Sequence, residues 1–356
     1  SNYATVRHIY AATAIDLQQS TDGGQNWAEM FTRPVDAPAD GYFSHMRAAP
    51  AAGEDTAPTT LFAILFSPGS SASTIYRSDN AGATWQAVSA LPTTGLPRAL
   101  TISPNYAADQ TVFAIFGEGL ALHKSVNGGQ NWNTYPFGPL VEFFNGYDLA
   151  VSPAFATDQT LYAAGFGPLH RSTNGGANWS SLATLNPTFD VAVSSQFATD
   201  RRVWSSFRTI EAIGDGTPEA GVQSSADGGD AWTLGAVGLP GVYEPNPRFL
   251  SVSPRFDVDQ SVFTMLKGDG SGGAEATLFR SFDGGAVWAD QFAPTNNPMV
   301  SDAVATYAAA EGVRIHLATS AGVCSYSRLC AQHLINPGFE TDWAWALDGP
   351  PDYAAY

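Results

Sequence analysis

The sequence predicts an all-β protein, a seven-bladed β-propeller built from four-stranded antiparallel blades. The first observation is an eight-residue segment of the form SVNGGQNW (125–132), which occurs six times in the 356 residues. The second is a longer segment of the form AVSPAFATDQTLYAAG (150–165), which occurs four times in phase with the first. The tryptophans that end the short segments are 58, 47, 47, 53 and 56 residues apart, a period typical of propeller blades.

The elements of one blade follow from the pattern of each longer segment. Alternating small apolar residues predict an inner strand, a turn with Pro, Asp and Gln or Arg follows, and aromatic and β-branched residues predict a second strand. A third strand such as LHKS precedes the short segment, which we call the box, and an outer strand follows it. Residues 300–327 have the strands of a seventh blade without a box. Blade one shows no inner strand before HIYAAT and blade seven no outer strand, so we expect a shared blade to close the ring, since sheet edges otherwise stay exposed.

The residue types of the box predict a turn. Its third residue is a carboxylate or amide that can accept backbone N–H bonds across the turn, and a glycine two places later suits positive φ. The tryptophan is expected to pack against the sheet and close the hairpin. Asn replaces Asp in three of six boxes, which suits a turn better than a catalytic acid. The predicted structural residues are Asp22, Asn80, Asn127, Asn174, Asp227 and Asp283, with Trp27, Trp85, Trp132, Trp179, Trp232 and Trp288.

The boxes resemble the Asp-box, or BNR, repeat (Ser-x-Asp-x-Gly-x-Thr-Trp) of sialidases, xyloglucan-hydrolysing glycosidases, sortilin-type receptors and photosystem-assembly propellers. The resemblance extends over residues 8–327 and implies the fold, whereas those families share the turn and not the activity. It also implies that the box turns lie on one face and the ligand site on the other. Two observations disfavour a sialidase: the Arg-Ile-Pro stretch that sialidases usually carry is absent, and an acidic chain repels anionic sialic acid.

Three aspartates stand at one repeat-equivalent place, near the start of inner strands, and are the candidate catalytic residues: Asp148, Asp190 and Asp302. Two carboxylates across a channel can act as acid and base in glycoside hydrolysis. The other interpretation is structural, with inner-strand polar groups pairing with one another and with water. Arg98 and Arg248 stand at or next to the same position.

Aromatic residues in two variable loops are the candidate ligand-binding residues. Such rings stack on sugars while neighbouring acids hold hydroxyl groups, although loop aromatics also seal the space between blades. The predicted ligand-binding set is Glu142, Phe143, Phe144, Tyr147, Tyr243, Glu244, Arg98 and Arg248.

We expect two regions, the propeller at 1–330 and a C-terminal extension at 331–356. The extension contains NPGFE with tryptophans downstream, which resembles the opening strand of jelly-roll carbohydrate-binding modules; a strand that packs on the propeller is the alternative. Cys324 and Cys330 are six residues apart and predict a small disulfide loop in an oxidising compartment, or two free thiols.

The composition and the motifs of the sequence exclude several classes of function. With 33 acidic and 16 basic residues, the net charge of −17 disfavours nucleic acid as a partner. No motif implies a cofactor or a metal site, no apolar run is long enough to span a bilayer, and the SNYATV start predicts a mature or trimmed product. We therefore expect a secreted or cell-surface, non-catalytic propeller that binds glycan or protein at the face opposite the boxes, or self-assembles through end-blade edges or the extension. The alternative is a glycoside hydrolase acting on a neutral polysaccharide.

Overall fold

The computed structural model describes residues 8–13, 15–21, 26–50, 59–88, 95–117, 121–137, 146–185, 187–208, 220–235, 237–239, 249–266, 277–292, 300–308, 312–319 and 322–326. Its side chains are described except at 146–147, 266, 291–292 and from 300 onward. This part of the chain forms 26 strands and four one-turn helices, which confirms the predicted all-β class. The predicted extension at 331–356 lies outside the described residues.

The strands form seven antiparallel sheets that follow one another along the chain. Sheet 1 contains β1 (Ile9–Ala12), β2 (Asp16–Ser20) and β3 (Ala28–Thr32). Sheet 2 contains β4 (Tyr42–Ala48), β5 (Leu61–Ser67), β6 (Ala72–Ser78) and β7 (Gln86–Ala87). Sheet 3 contains β8 (Pro97–Ile102), β9 (Val112–Phe116), β10 (Ala121–Ser125) and β11 (Asn133–Pro136). Sheet 4 contains β12 (Gly146–Val151), β13 (Leu161–Gly165), β14 (His170–Ser172) and β15 (Ser180–Ser181).

The remaining sheets repeat this order. Sheet 5 contains β16 (Thr188–Val193), β17 (Val203–Arg208), β18 (Ala220–Ser225) and β19 (Thr233–Gly235). Sheet 6 contains β20 (Phe249–Val252), β21 (Val262–Leu266), β22 (Thr277–Ser281) and β23 (Trp288–Phe292). Sheet 7 contains β24 (Val300–Ala308), β25 (Gly312–Thr319) and β26 (Gly322–Tyr326). The helices are α1 (Tyr106–Asp109), α2 (Phe155–Asp158), α3 (Phe197–Asp200) and α4 (Phe256–Asp259), each between the first two strands of its sheet.

The hydrophobic core lies between neighbouring sheets. Each cluster of buried side chains joins two consecutive sheets, as where Phe62 of sheet 2 meets Leu100 and Tyr106 of sheet 3. The same arrangement recurs between sheets 1 and 2, 3 and 4, 4 and 5, and 5 and 6. The first strands of sheets 2 to 7 contact one another in succession; they are β4, β8, β12, β16, β20 and β24. Consecutive sheets therefore pack against each other in chain order, with the first strands of sheets 2 to 7 on a common side.

The one-turn helices contribute to these interfaces. The first residue of each helix is a buried aromatic that packs edge-on against an aromatic of the preceding sheet. The ring centroids are 4.9 to 6.0 Å apart in the pairs Phe62–Tyr106, Phe113–Phe155, Tyr162–Phe197 and Trp204–Phe256. Edge-to-face pairs of this kind contribute roughly 0.5–1.5 kcal/mol beyond the area they bury.

Candidate functional site

The candidate catalytic residues Asp148 and Asp190 connect the inner strands of consecutive sheets. Asp148 follows a bulge in β12, and its Oδ2 accepts the Val191 N–H of β16 at 3.1 Å. Asp190 Oδ1 accepts the same N–H at 2.8 Å, and its Oδ2 accepts the Leu250 N–H of β20 at 2.8 Å. Each aspartate thus supplies an acceptor to the inner strand of the next sheet.

The two carboxylates are close but differently engaged. Because Asp148 Oδ2 and Asp190 Oδ1 accept the same N–H, they lie at most about 6 Å apart. Both oxygens of Asp190 are hydrogen-bonded to main chain, whereas Asp148 Oδ1 makes no hydrogen bond within the described part of the chain. The third candidate, Asp302, lies in β24 opposite Ala318, the register that Asp148 has with Ala164; its side chain is outside the described ones.

A histidine that the sequence reasoning missed occupies the equivalent place in sheet 2. His45 immediately precedes Met46, which pairs with Ala63 as Leu149 pairs with Ala163. Its Nε2 lies 3.3 Å from the Arg98 carbonyl oxygen of the next inner strand. Burial, and then the nearby Arg47 charge, lower the pKa of His45 to about 4. The imidazole is therefore neutral near pH 7, and aligning the chain on Pro50, Pro104, Pro153 and Pro254 would have placed it at the aspartate position.

Among the predicted ligand-binding residues, only Arg98 has a described side chain. Its Nε donates to the Gly117 carbonyl oxygen at 3.2 Å, and the residue is half-buried. Tyr147 lies on β12, but its side chain is not among those described. The loop residues outside the described part are Glu142, Phe143, Phe144, Tyr243, Glu244 and Arg248. The ligand-binding set therefore stays a prediction.

The boxes form closely similar hydrogen-bonded turns. In the box of sheet 3, Ser125 Oγ accepts the Gly129 N–H at 2.8 Å and donates to Asn127 Oδ1, which accepts the Asn131 N–H at 2.9 Å. Trp132 Nε1 donates to the Gly129 carbonyl at 2.9 Å. The other boxes of sheets 2 to 6 repeat these bonds around Asn80, Asn174, Asp227 and Asp283. Asp22, in the box of sheet 1, lies outside the described residues, and Trp27 is half-buried.

The boxes of sheets 3 to 6 are also bound to the preceding sheet through one carbonyl oxygen. The carbonyl of the fourth box residue accepts a side-chain donor from the sheet before it in four cases. The pairs are Arg77 with Gly128 at 3.0 Å, Lys124 with Gly175 at 3.0 Å, Arg171 with Gly228 at 2.7 Å and Trp204 with Gly284 at 2.8 Å. The polar groups of the boxes are thus used in turn formation and in contacts between sheets.

Other predicted features remain untested. Cys324 lies in β26 opposite Leu317, while Cys330 lies outside the described residues. Within the described residues, no cluster of His, Cys, Asp and Glu side chains could hold a metal ion. No helix in that part of the chain is long and apolar enough to cross a membrane.

The comparisons with known proteins concern the fold. No protein-family model matches the sequence, and no curated protein matches it. Among solved structures, the GH74 xyloglucanase from Xanthomonas campestris is similar over 91% of this chain and 50% of its own, with a TM-score of 0.65 and 14% identity. YCF48 from Cyanidioschyzon merolae is similar over 90% of this chain and 92% of its own, with a TM-score of 0.58 and 14% identity.

A second YCF48 structure, bound to D1 peptide, is similar over 90% of this chain and 89% of its own, with a TM-score of 0.55 and 16% identity. The chain spans only 43 to 51% of the three GH74 enzymes that it matches. Similarity at this level of identity establishes a fold and no activity. The chain has a β-propeller fold.

Proposed function

We propose that this protein is a non-catalytic, seven-bladed Asp-box propeller, secreted or at the cell surface, that binds a glycan or protein partner through the loop face opposite the boxes. The observation that carries the proposal is the engagement of Asp190. Both of its oxygens accept main-chain N–H groups, from Val191 and Leu250, so the carboxylate acts as a link between sheets. A general acid or base must instead present an oxygen to the substrate.

One of the similar structures supports the same proposal. The chain is similar to about nine tenths of YCF48, which has been solved with a bound peptide, and to about half of each GH74 enzyme. A propeller similar to this chain over most of its length thus binds a peptide in YCF48.

The sequence of the loops supports a face opposite the boxes. The box side chains of sheets 2 to 6 form the hydrogen bonds of their own turns. The loops that carry Phe143, Phe144 and Tyr243, in contrast, differ in sequence between repeats. Variable loops on a rigid scaffold are where binding residues concentrate.

The test is a screen of the purified chain against neutral and acidic polysaccharides and peptide libraries, scored for binding and for released reducing ends. We expect binding without release, which a Phe143→Ala/Phe144→Ala variant abolishes. Phe282→Ala is the matched control, because Phe282 is 53% exposed on a box turn. Binding that is lost with Phe282→Ala and kept in the loop variant would contradict the proposed face.

A glycoside hydrolase is the second candidate. Two observations favour it: Asp148 Oδ2 and Asp190 Oδ1 lie at most about 6 Å apart, and Asp148 Oδ1 makes no hydrogen bond within the described residues. Release of reducing ends that Asp148→Asn abolishes, with unchanged binding, would establish it in place of the first.

A further inference from the structure

Two of the boxes contain an asparagine followed by glycine, a sequence prone to spontaneous deamidation. The pairs are Asn127 with Gly128 in sheet 3 and Asn174 with Gly175 in sheet 4. In this reaction the main-chain nitrogen of the residue after asparagine attacks the side-chain amide. Glycine permits the attack best, because it has no Cβ atom and its main chain is the freest. Both boxes therefore contain a group that can be modified without an enzyme.

In the folded box the attacking nitrogen is already engaged. The Gly128 N–H donates to the Gln110 carbonyl oxygen at 2.9 Å, and the Gly175 N–H donates to the Gln159 carbonyl oxygen at 2.9 Å. Both glycines are buried. The nitrogen must give up its proton in order to attack, so a buried N–H that is bonded to a carbonyl oxygen is held unreactive.

The carbonyl that engages each glycine belongs to a residue with an unusual main-chain conformation. Gln110 and Gln159 end helices α1 and α2 with φ of 48° and 50°, in the left-handed region that residues other than glycine seldom adopt. The same bond recurs in the aspartate boxes of sheets 5 and 6, where the donors Gly228 and Gly284 meet the carbonyls of Arg201 and Gln260. The engagement is thus a property of the repeat, and it protects an asparagine wherever the box contains one before glycine.

The side-chain amide of each asparagine is fixed as well. Asn127 Oδ1 accepts the Ser125 hydroxyl at 2.9 Å and the Asn131 N–H at 2.9 Å. The equivalent two bonds hold Asn174 Oδ1 at 3.0 and 2.9 Å. Movement of the side-chain carbon towards the glycine nitrogen weakens both bonds, so the reaction requires the box to open.

We propose that Asn127 and Asn174 are sites of spontaneous deamidation, which the closed box suppresses and which react when the box opens. In the open box the Gly128 nitrogen forms a bond to Asn127 Cγ, the bond from Cγ to Nδ2 breaks, and ammonia leaves with the proton of the Gly128 N–H. Water then opens the cyclic imide. Hydrolysis of the bond between the nitrogen and Cγ gives aspartate, and hydrolysis of the bond between the nitrogen and the main-chain carbonyl carbon gives isoaspartate.

The two products differ in how they fit the box. Aspartate already occupies this position in sheet 5, where Asp227 Oδ1 accepts the Ser225 hydroxyl at 2.6 Å and the Ala231 N–H at 3.0 Å. Conversion of Asn127 to aspartate therefore keeps the bonds of the box and adds one negative charge. Isoaspartate places an extra methylene group in the main chain and changes the spacing on which those bonds depend, so we expect such a box to stay open.

The experiment follows deamidation of the full chain at mildly alkaline pH, in buffer and in guanidinium chloride, by peptide mapping with mass spectrometry. In denaturant we expect Asn127 and Asn174 to react at the rate of Asn145, which precedes Gly146 outside the boxes. In buffer we expect both box asparagines to react at least about tenfold more slowly, because they react only while the box is locally open. Equal rates in buffer and in denaturant would overturn the proposal.

The variant Ser125→Ala separates the opening of one box from unfolding of the whole chain. It removes the hydroxyl that donates to Asn127 Oδ1 and accepts the Gly129 N–H, so Asn127 should react about fivefold faster in buffer. Asn174 in the same molecule is the matched control and should keep its rate, whereas Ser172→Ala should accelerate Asn174 alone. Acceleration of both asparagines by either variant would overturn local opening in favour of global unfolding, and acceleration of neither would overturn the role of the box. The readout contains no ligand, so it is independent of the proposed function.

Discussion

The buried carbonyl of Gly228 offers a quantitative test of how the sheets are held together. It accepts the Tyr162 hydroxyl at 2.7 Å and Arg171 Nη1 at 2.7 Å, both from the preceding sheet. Removing one donor leaves the other in place, so we expect Tyr162→Phe to lower the free energy of unfolding by about 1 kcal/mol. Arg171→Met keeps the aliphatic stem but also loses the ion pair with Asp230. Because the Asp230 side chain is 65% exposed, that ion pair contributes little, and we expect the free energy of unfolding to fall by about 1–2 kcal/mol.

The double variant is the informative one. With both donors removed, the Gly228 carbonyl is buried without a partner, which costs roughly 1–3 kcal/mol more than the two separate losses. Urea unfolding followed by tryptophan fluorescence measures the three free energies. Burial raises the pKa of Tyr162 to about 12, so its hydroxyl remains a donor throughout the neutral range and buffer pH does not affect the comparison.

Tyr106→Phe is the matched control. Tyr106 is buried at the equivalent interface two sheets earlier, and its hydroxyl makes no hydrogen bond within the described residues. We expect this variant to leave stability unchanged or slightly higher. Additivity of Tyr162→Phe and Arg171→Met to within about 0.5 kcal/mol would refute the idea that the shared carbonyl couples the sheets.

Three further predictions concern single residues. Ala81 has a φ of 55° where the other described boxes have glycine, and this φ is strained for a residue with a Cβ atom. We expect Ala81→Gly to raise the free energy of unfolding, measured in urea, by about 0.5–1 kcal/mol; a lower value would contradict the strain. The pKa of His45 is lowered to about 4 against about 6.5 in the unfolded chain, so stability falls as pH falls between these values, by about 3 kcal/mol in total. His45→Gln should remove that part of the pH dependence, and an unchanged slope would contradict it. Hydrogen bonds from Ser225 and from the Ala231 N–H lower the pKa of Asp227. The ionised carboxylate therefore stabilises the fold above about pH 4, and this stabilisation is lost as pH falls through the lowered pKa. We expect Asp227→Asn to be less acid-sensitive than the wild type in thermal unfolding between about pH 5 and 3.

The features that the sequence predicted are local ones. The box needs only residues within eight positions, because Ser125, Asn127, Gly129 and Trp132 bond to one another. The alternation of the inner and second strands is equally local, so the sheets could be predicted strand by strand.

The features that escaped prediction depend on residues far apart in the chain. Arg171 and Gly228 are 57 residues apart, and Trp204 and Gly284 are 80 apart, so no short pattern contains both partners. His45 was missed for another reason. Histidine and aspartate are different residue types, so residue type alone did not reveal the shared position. The strand register shows it, and so would an alignment on the proline that follows five residues later.

Residues that depart from the repeat are the place to look for function. The box residues that recur in sheets 2 to 6 are explained by the sheet, the serine by its Gly N–H and the tryptophan by its Gly carbonyl. Asp190, whose position is an aspartate in only some of the sheets, is explained by the N–H groups of Val191 and Leu250. A residue that departs from the repeat lacks such an explanation, and binding specificity requires departures because a ligand without matching symmetry touches the blades unequally. Phe143 and Phe144 depart from the repeat, and Asp148 differs from Asp190 by one oxygen without a hydrogen bond among the described residues. We therefore propose these three residues as the ones whose substitution would distinguish a binding protein from a hydrolase.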